Sequence, residues 1–420
     1  MQLPRYGFAL FLSGLTLLPW QLQASELDAP GNLRADPALI QFVRSVVEAN
    51  PRVQAARAAL DASGAFRDAA SRPLYNPELS FDAENADANT RSLGISQTLD
   101  WGGKRKARTA LAESDRLVVE AEYLAARWDV TVELLDGLAQ HQTGAERDVL
   151  AHSRQRLMNE FAGLAQRRFD AGDLPQVELD LARLALTDAR IQKATAGAGM
   201  AEARQAVRNL TPRTAITQWP TLPDALPALP ESAQDPQSLV LALPEVLAAR
   251  RQVESADATV ELRRRERRPD PTLSLAGGKE DGENLVGLTL SIPLFVRNRF
   301  NHEVSAAMAQ RSQAQQVADD VMQRAYARLV SASERYELSR SAWDDWQLTG
   351  QASLTRQTEQ LQKLWEAGEL STTDYLVQLT ATLDVQESAL DLREALWRAW
   401  FEWLWASGQV DGWLGQGAYR

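Results

Sequence analysis

The 420-residue sequence has no cysteine and only three histidines, His141, His152 and His302. Disulfide scaffolds, thiol catalysis, Cys-rich zinc sites and a lipid acylated onto cysteine are excluded, and any handling of metal ions falls mainly to carboxylates. The histidines lack HExxH or carboxylate–histidine spacing, no GxGxxG or Walker loop occurs, and no nucleophile–base grouping is recognisable. The chain therefore reads as a non-enzyme with no cofactor and no metal site. Beyond the N-terminus no stretch is long and apolar enough to span a bilayer as a helix, so a mature chain that crosses a membrane must do so as β-structure. A net charge of −11 argues against nucleic acid as a partner and leaves cations as the natural charge complement.

What is present begins with a sorting signal. Arg5 is the only charge before Glu26, the run from Phe8 to Leu18 is mostly apolar, and small Ala24 stands just ahead of Ser25. This resembles a secretory signal peptide over residues 1–24. A membrane anchor is the alternative, but the apolar run of about 12 residues falls short of the ~20 a spanning helix needs.

The remainder repeats itself. Pro51, Val53, Ala55, Ala56 and Arg57 match Pro244, Val246, Ala248, Ala249 and Arg250 at an offset of 193. Pro77, Leu79 and Ser80 match Pro271, Leu273 and Ser274 at 194, Gly94 matches Gly287 at 193, and Ala171-Gly172 match Ala367-Gly368 at 196. Four blocks in one order indicate an internal duplication, with a first repeat over 25–210, a Pro-rich linker over 211–236 and a second repeat over 237–420.

Each repeat opens with an Ala- and Arg-rich helix, about 51–71 and 244–267, with Pro in its first turn. A strand pair follows, within 77–100 and 271–294. Leu79, Phe81, Leu93, Ile95 and Leu99 alternate with Ser80, Asp82, Gly94, Ser96 and Thr98; Leu273, Leu275, Val286, Leu288, Leu290 and Ile292 alternate with Ser274, Gly287, Thr289 and Ser291. Residues 85–89 and 277–284 supply the turns. Then come two Pro-free stretches, 104–169 and 302–365, each roughly 100 Å long as one helix at ~1.5 Å per residue. Apolar residues recur at 3–4 spacing from Ala107 to Ala139, beside a second row at Leu117, Leu124 and Leu138; the later stretch repeats the pattern from Val304 through Met308, Ala318, Met322 and Ala325 to Tyr336. Many of these positions are Ala, which lets helix axes approach closely. Each helix stops at an Ala-Gly tip, where Gly172 or Gly368 can take the left-handed cap, and a new helix returns from Pro175 or Ser371.

Four strands of about membrane-spanning length cannot close a barrel, and open edges cannot face lipid. A spanning sheet must be completed by further copies of the chain. The alternative is a soluble periplasmic coiled-coil scaffold or adaptor with a small β-cap, although a hairpin in water has little need of one continuous apolar face.

The NP/LP helix openings, both strand pairs, the WGGKRKAR and VRNRF segments that lead into the long helices, and both Ala-Gly tips together resemble the TolC family of outer-membrane efflux factors, over almost the whole mature sequence. Within it the chain is most similar to CzcC-type outer-membrane components of heavy-metal cation efflux systems. The resemblance implies a mainly α fold with a membrane β-barrel: a homotrimer, four strands per chain completing a 12-stranded barrel in outer-membrane lipid, and a long α-helical barrel extending into the periplasm. It also implies a passive conduit working with a periplasmic adaptor (membrane fusion protein) and an inner-membrane pump of the resistance-nodulation-division (RND) type.

The tips, residues 169–174 and 365–370, match the family's adaptor-docking motif, which assigns Phe169, Ala171, Gly172 and Leu174 and their counterparts Trp365, Ala367, Gly368 and Leu370 to docking. Six residues after each tip glycine stand Glu178 and Asp374, acidic positions that in a trimer form carboxylate rings at the entrance and attract cations; equally, they charge the first turn of the returning helix. Trp365 stands where a Tyr is familiar and Leu370 where an Arg is familiar, so the polar closing network of the best-known member is not matched. Trp397, Trp400, Trp403 and Trp405 read most simply as helix packing, a drug-binding aromatic cage being the sharper alternative. Arg263, Arg264, Arg265, Arg267 and Arg268 are either a solvated basic face or a contact for anionic head groups.

Overall fold

The computed structural model describes residues 35–85, 89–211, 219–223, 225–229, 235–367 and 369–415. The signal segment 1–24, parts of the 211–236 linker and Gly368 lie outside the described residues. The elements run α1 (Pro37–Ala49), α2 (Pro51–Ala70), β1 (Glu78–Asn85), β2 (Asn89–Thr98), α3 (Lys104–Asp170), α4 (Gln176–Leu210), α5 (Pro236–Leu241), α6 (Pro244–Glu266), β3 (Thr272–Glu280), β4 (Glu283–Ser291), α7 (Asn301–Asp345), a π-helical turn (Trp346–Gly350), α8 (Gln351–Glu366), α9 (Thr372–Ser407) and α10 (Val410–Trp413). Both opening helices start at the proline the sequence marks, and each hairpin is followed by a long helix and a returning one.

The strands form one antiparallel sheet in the order β1-β2-β3-β4, so the two hairpins pair through β2 and β3. The outer edges of β1 and β4 have no partner strand among the described residues. The second hairpin turns more tightly than the sequence suggests. Its turn is only Asp281-Gly282, with φ of 47° and 93°, and residues 277–280 belong to β3. An Asp-Gly pair meets the positive-φ demand of a two-residue turn, so the strands lengthen to meet it. Gly278 is required by packing, because a Cβ there would lie 2.1 Å from the Arg91 carbonyl oxygen.

At 67 residues, α3 is about 100 Å long at ~1.5 Å per residue. It packs on α2 and α6 toward the sheet and on α4 and α9 toward the far end. Short residues set these distances. Ala182, Ala189, Ala196 and Ala203 are buried at seven-residue spacing on α4, and Gly137 and Gly144 of α3 face Val207 and Met200. The end of α4 meets the start of α2, where buried Asn50 does two jobs: its Oδ1 accepts from the Arg52 amide at 2.9 Å, and its Nδ2 donates to the Leu210 carbonyl at 3.2 Å. One amide thus caps one helix and satisfies the last carbonyl of the other.

The later long helix departs from the uninterrupted form. Its π turn coincides with Gly350, where an added Cβ would fall 2.2 Å from the Trp346 ring, so the missing side chain makes room for the indole against the backbone. Met308 and Met322, which keep the apolar spacing, are exposed, and the buried stripe of α7 runs through Val304, Ala307, Ala318, Ala325, Leu329, Ala332 and Tyr336. Two cores result. One gathers α1, α9, α10 and the middles of α3 and α7; the other fills the tips.

Candidate functional site: sheet faces, junction and hairpin tips

Register gives the sheet two unlike faces. Leu79, Ile95, Leu275 and Leu288 form one cross-strand row, with Phe81, Leu93, Gly277 and Val286 beside it. These side chains find no cover in the chain: Leu79 is 74% exposed and Val286 78%. The opposite face carries Glu78–Ser96–Ser274–Thr289 and, beside the hairpin turns, Glu84–Thr90–Glu280–Glu283. Ser80, Asp82, Thr98 and Ser291 share this face, as their alternation predicts, and Thr98 Oγ1 lies 2.8 Å from Thr272 Oγ1. One side suits lipid; the other suits water.

The junction between sheet and helices is built on two aspartates. Asp100 caps α3, its carboxylate accepting from the Lys104 and Arg105 amides at 2.7 and 2.8 Å, while Gly103 adopts φ 69° to turn the chain. Gly102-Gly103-Lys104-Arg105 is thus a strand-to-helix junction. Asp270 is buried; its Oδ2 receives the Lys104 ammonium at 2.9 Å and the Tyr75 hydroxyl at 2.8 Å, tying the end of one hairpin to the beginning of the other. Burial and the adjacent carboxylate push the Tyr75 phenol up to about 12. This cluster was not read from the sequence, yet a signal existed: the offset of 194 aligns Asp270-Pro271 with Asn76-Pro77.

At the first tip the chain closes a Schellman motif. Gly172, at φ 84°, donates to the Phe169 carbonyl and Asp173 to the Arg168 carbonyl, both at 2.9 Å. In the second, Glu369 donates to the Leu364 carbonyl at 2.9 Å, the matching bond. The assigned docking residues divide into two groups. Phe169, Leu174, Trp365 and Leu370 pack on one tip core shared by both hairpins, whereas Ala171, Gly172 and Ala367 are exposed at its end. Trp365 stacks on Tyr375 at 4.6 Å and 11°, with Phe161 5.6 Å away and the Arg168 guanidinium 5.7 Å from its ring. An aromatic stack therefore joins the two hairpins at the tips. Asp374 is exposed in the first turn of α9, where Ser371 is the N-cap: its amide donates to Ser371 Oγ at 3.1 Å, and that hydroxyl donates to its carboxylate at 2.7 Å. Glu178 is half-buried in the first turn of α4.

Above the tips, buried Arg154 of α3 reaches Asp384 of α9 at 2.9 Å and Asp188 of α4 at 3.5 Å, clamping three helices. Trp397, Trp400 and Trp403 are buried in the larger core, and Trp405 lies half-buried beneath the Arg328 guanidinium at 4.0 Å, so the cluster packs helices. His141 sits edge-on to Trp219, and burial pushes its pKa down. Among the described residues no group of three or more histidines and carboxylates is close enough to hold a metal ion, and no helix is long and apolar enough to cross a membrane.

Comparison with known proteins bears on the whole arrangement. Residues 43–212 match the family described as outer membrane efflux protein. The cobalt-zinc-cadmium resistance protein CzcC of Cupriavidus metallidurans is 28% identical over 354 residues, covering 81% of this chain and 80% of that protein. The nickel-cobalt-cadmium resistance protein NccC of Alcaligenes xylosoxydans xylosoxydans is 26% identical, covering 78% and 74%. The CmeC outer membrane channel of Campylobacter jejuni superposes with a TM-score of 0.75 at 16% identity, covering 96% of this chain and 94% of that one. Residues 43–212 are a domain of the outer membrane efflux protein family, and the chain that carries it has the fold of an outer-membrane efflux channel.

Proposed function

We propose that three copies of the chain assemble into the outer-membrane duct of a tripartite pump that expels divalent heavy-metal cations. The observation that carries this reading is the sheet: one face apolar across its middle and uncovered, the other polar, two open edges, and a helix of about 100 Å leading away from it. Exposed Val177, Leu184 and Ile191, at seven-residue spacing along α4, supply an apolar stripe for a neighbouring copy. The cation assignment is supported by the names of the two metal-resistance relatives and by the acidic row Glu84, Glu280 and Glu283 on the water-facing side of the sheet.

In this reading the two repeats, 25–210 and 237–420, are joined by the 211–236 linker, and the exposed ends of the tips meet the periplasmic adaptor while an inner-membrane RND pump supplies the energy. The test is resistance to cobalt, zinc and cadmium in cells carrying the cognate pump and adaptor. The intact chain should restore it, and Gly172→Glu should abolish it with the trimer preserved. A Cβ at Gly172 meets no atom within 4 Å, so the substitution costs only about 1 kcal/mol of left-handed backbone while placing a charge on the docking surface. Restored resistance to organic compounds but not to metals would replace the substrate class; full resistance with Gly172→Glu would remove the tip from docking.

A further inference from the structure

We propose that the cationic band where the sheet meets the helices binds the phosphodiester head groups of anionic phospholipids in the periplasm-facing leaflet. The assignment rests on the sheet spanning the outer membrane. Thr98, Thr272 and Ser291 mark one end of the sheet, and the ends of α2 and α6 and the starts of α3 and α7 converge there. Arg72, Arg264, Arg267, Arg268, Arg297 and Arg299 are exposed at this level, and none forms an ion pair among the described residues. Exposed arginines outside any ion pair among the described residues also occur singly elsewhere, as at Arg57 and Arg190; here six stand together at one end of the sheet. Three carboxylates of the junction are already committed, Asp100 to the helix cap, Asp270 to Lys104 and Glu266 to Arg263, while Glu303 in the first turn of α7 accepts from the Asn298 side chain.

A helix dipole accounts for cations at the end of α6 but not for Arg297 and Arg299, which precede the N-terminus of α7, where that dipole disfavours them. The apolar alternation of the sheet runs on into the same level. Trp101 is 75% exposed, Leu294 77% and Val296 74%, each in step with the lipid-facing residues of its strand. Buried Gly102 fixes the neighbourhood, since a Cβ on it would lie 3.2 Å from the Arg265 carbonyl oxygen and 3.4 Å from the Arg268 Cβ. The exposed indole and the arginine turn are therefore held side by side, an aromatic for the interface and guanidiniums for phosphate.

Purified wild-type trimer and the triple variant Arg264→Gln, Arg267→Gln, Arg268→Gln are reconstituted in nanodiscs of phosphatidylcholine with and without one part in four phosphatidylglycerol, and retained lipid is counted by native mass spectrometry. Wild type should retain phosphatidylglycerol about threefold or more above its share at low salt, lose that preference in molar salt, and lose it in the triple variant. The corresponding lysine variant should keep most of it. Insertion into pure phosphatidylcholine checks the spanning sheet separately: protein that enters neither disc overturns channel and lipid assignment together. Insertion with no enrichment in wild type, or undiminished enrichment in the glutamine variant, overturns the lipid assignment alone.

Discussion

Lys104 and Asp270 lie 2.9 Å apart with side chains 13% and 5% exposed, and they join the two hairpins where the sheet becomes a bundle. Lys104→Met leaves a buried carboxylate with only the Tyr75 hydroxyl, which should cost about 3–5 kcal/mol, while adding Asp270→Asn recovers most of it. Thermal unfolding of the three proteins in detergent checks this. His141 provides a pH dependence whose sign follows from its burial. Its folded pKa lies below the ordinary 6.5, so beneath that value the unfolded chain takes up a proton that the native state declines. That contribution is complete above 6.5 and is lost as the pH falls through the window between 6.5 and the folded value. Asp129 and Asp411, pushed up by burial, act oppositely, favouring the folded state on acidification toward 3.8. His141→Gln should therefore show a smaller fall in unfolding temperature between about pH 7.5 and 5.5 than wild type, and an equal fall would place the titration elsewhere.

Element by element, what periodicity could carry came through and what packing decides did not. Both opening helices, β1 and the start of each long helix lie within a residue or two of where proline, alternation and Pro-free length put them, and the other three strands are found where expected but run about three or four residues further into their turns. The π turn is illegible beforehand because it depends on an indole folding back over Gly350, a contact no spacing rule contains. Similarly, Met308 and Met322 keep the apolar repeat of α7 but point away from its neighbours in the chain, since one stripe cannot say which copy will cover it. At the tips, the motif does not distinguish Phe169, Leu174, Trp365 and Leu370, which pack on the core, from Ala171, Gly172 and Ala367 at its surface; side-chain size was the clue, the large ones packing inward. The alanine spacing of α4 is a stronger signal. Ala189 is completely buried between close helices, so Ala189→Leu should destabilise the bundle by roughly 1–3 kcal/mol, read as a lowered unfolding midpoint, whereas leucine at exposed Arg190 should have little effect.

For the whole molecule, the expected carboxylate ring of Glu178 and Asp374 can exist only in a threefold assembly. Asp374 is exposed yet engaged by Ser371, so asparagine there keeps the amide cap while removing the charge. The pair Glu178→Gln and Asp374→Asn should lower cation selectivity several-fold and weaken block by multivalent cations in planar bilayers, leaving unfolding temperature nearly unchanged. Unchanged conductance properties would reduce both residues to helix caps. The sheet order has a consequence of another kind. Because β1 and β4 are the edges, closure by three chains requires three β4–β1 seams, and each copy contributes to two of them. A copy with one ruined edge spoils every ring it enters. Expressed in equal amount with the intact gene, it leaves only about one trimer in eight free of the defect, so edge lesions should be genetically dominant while lesions that merely unfold the chain are recessive.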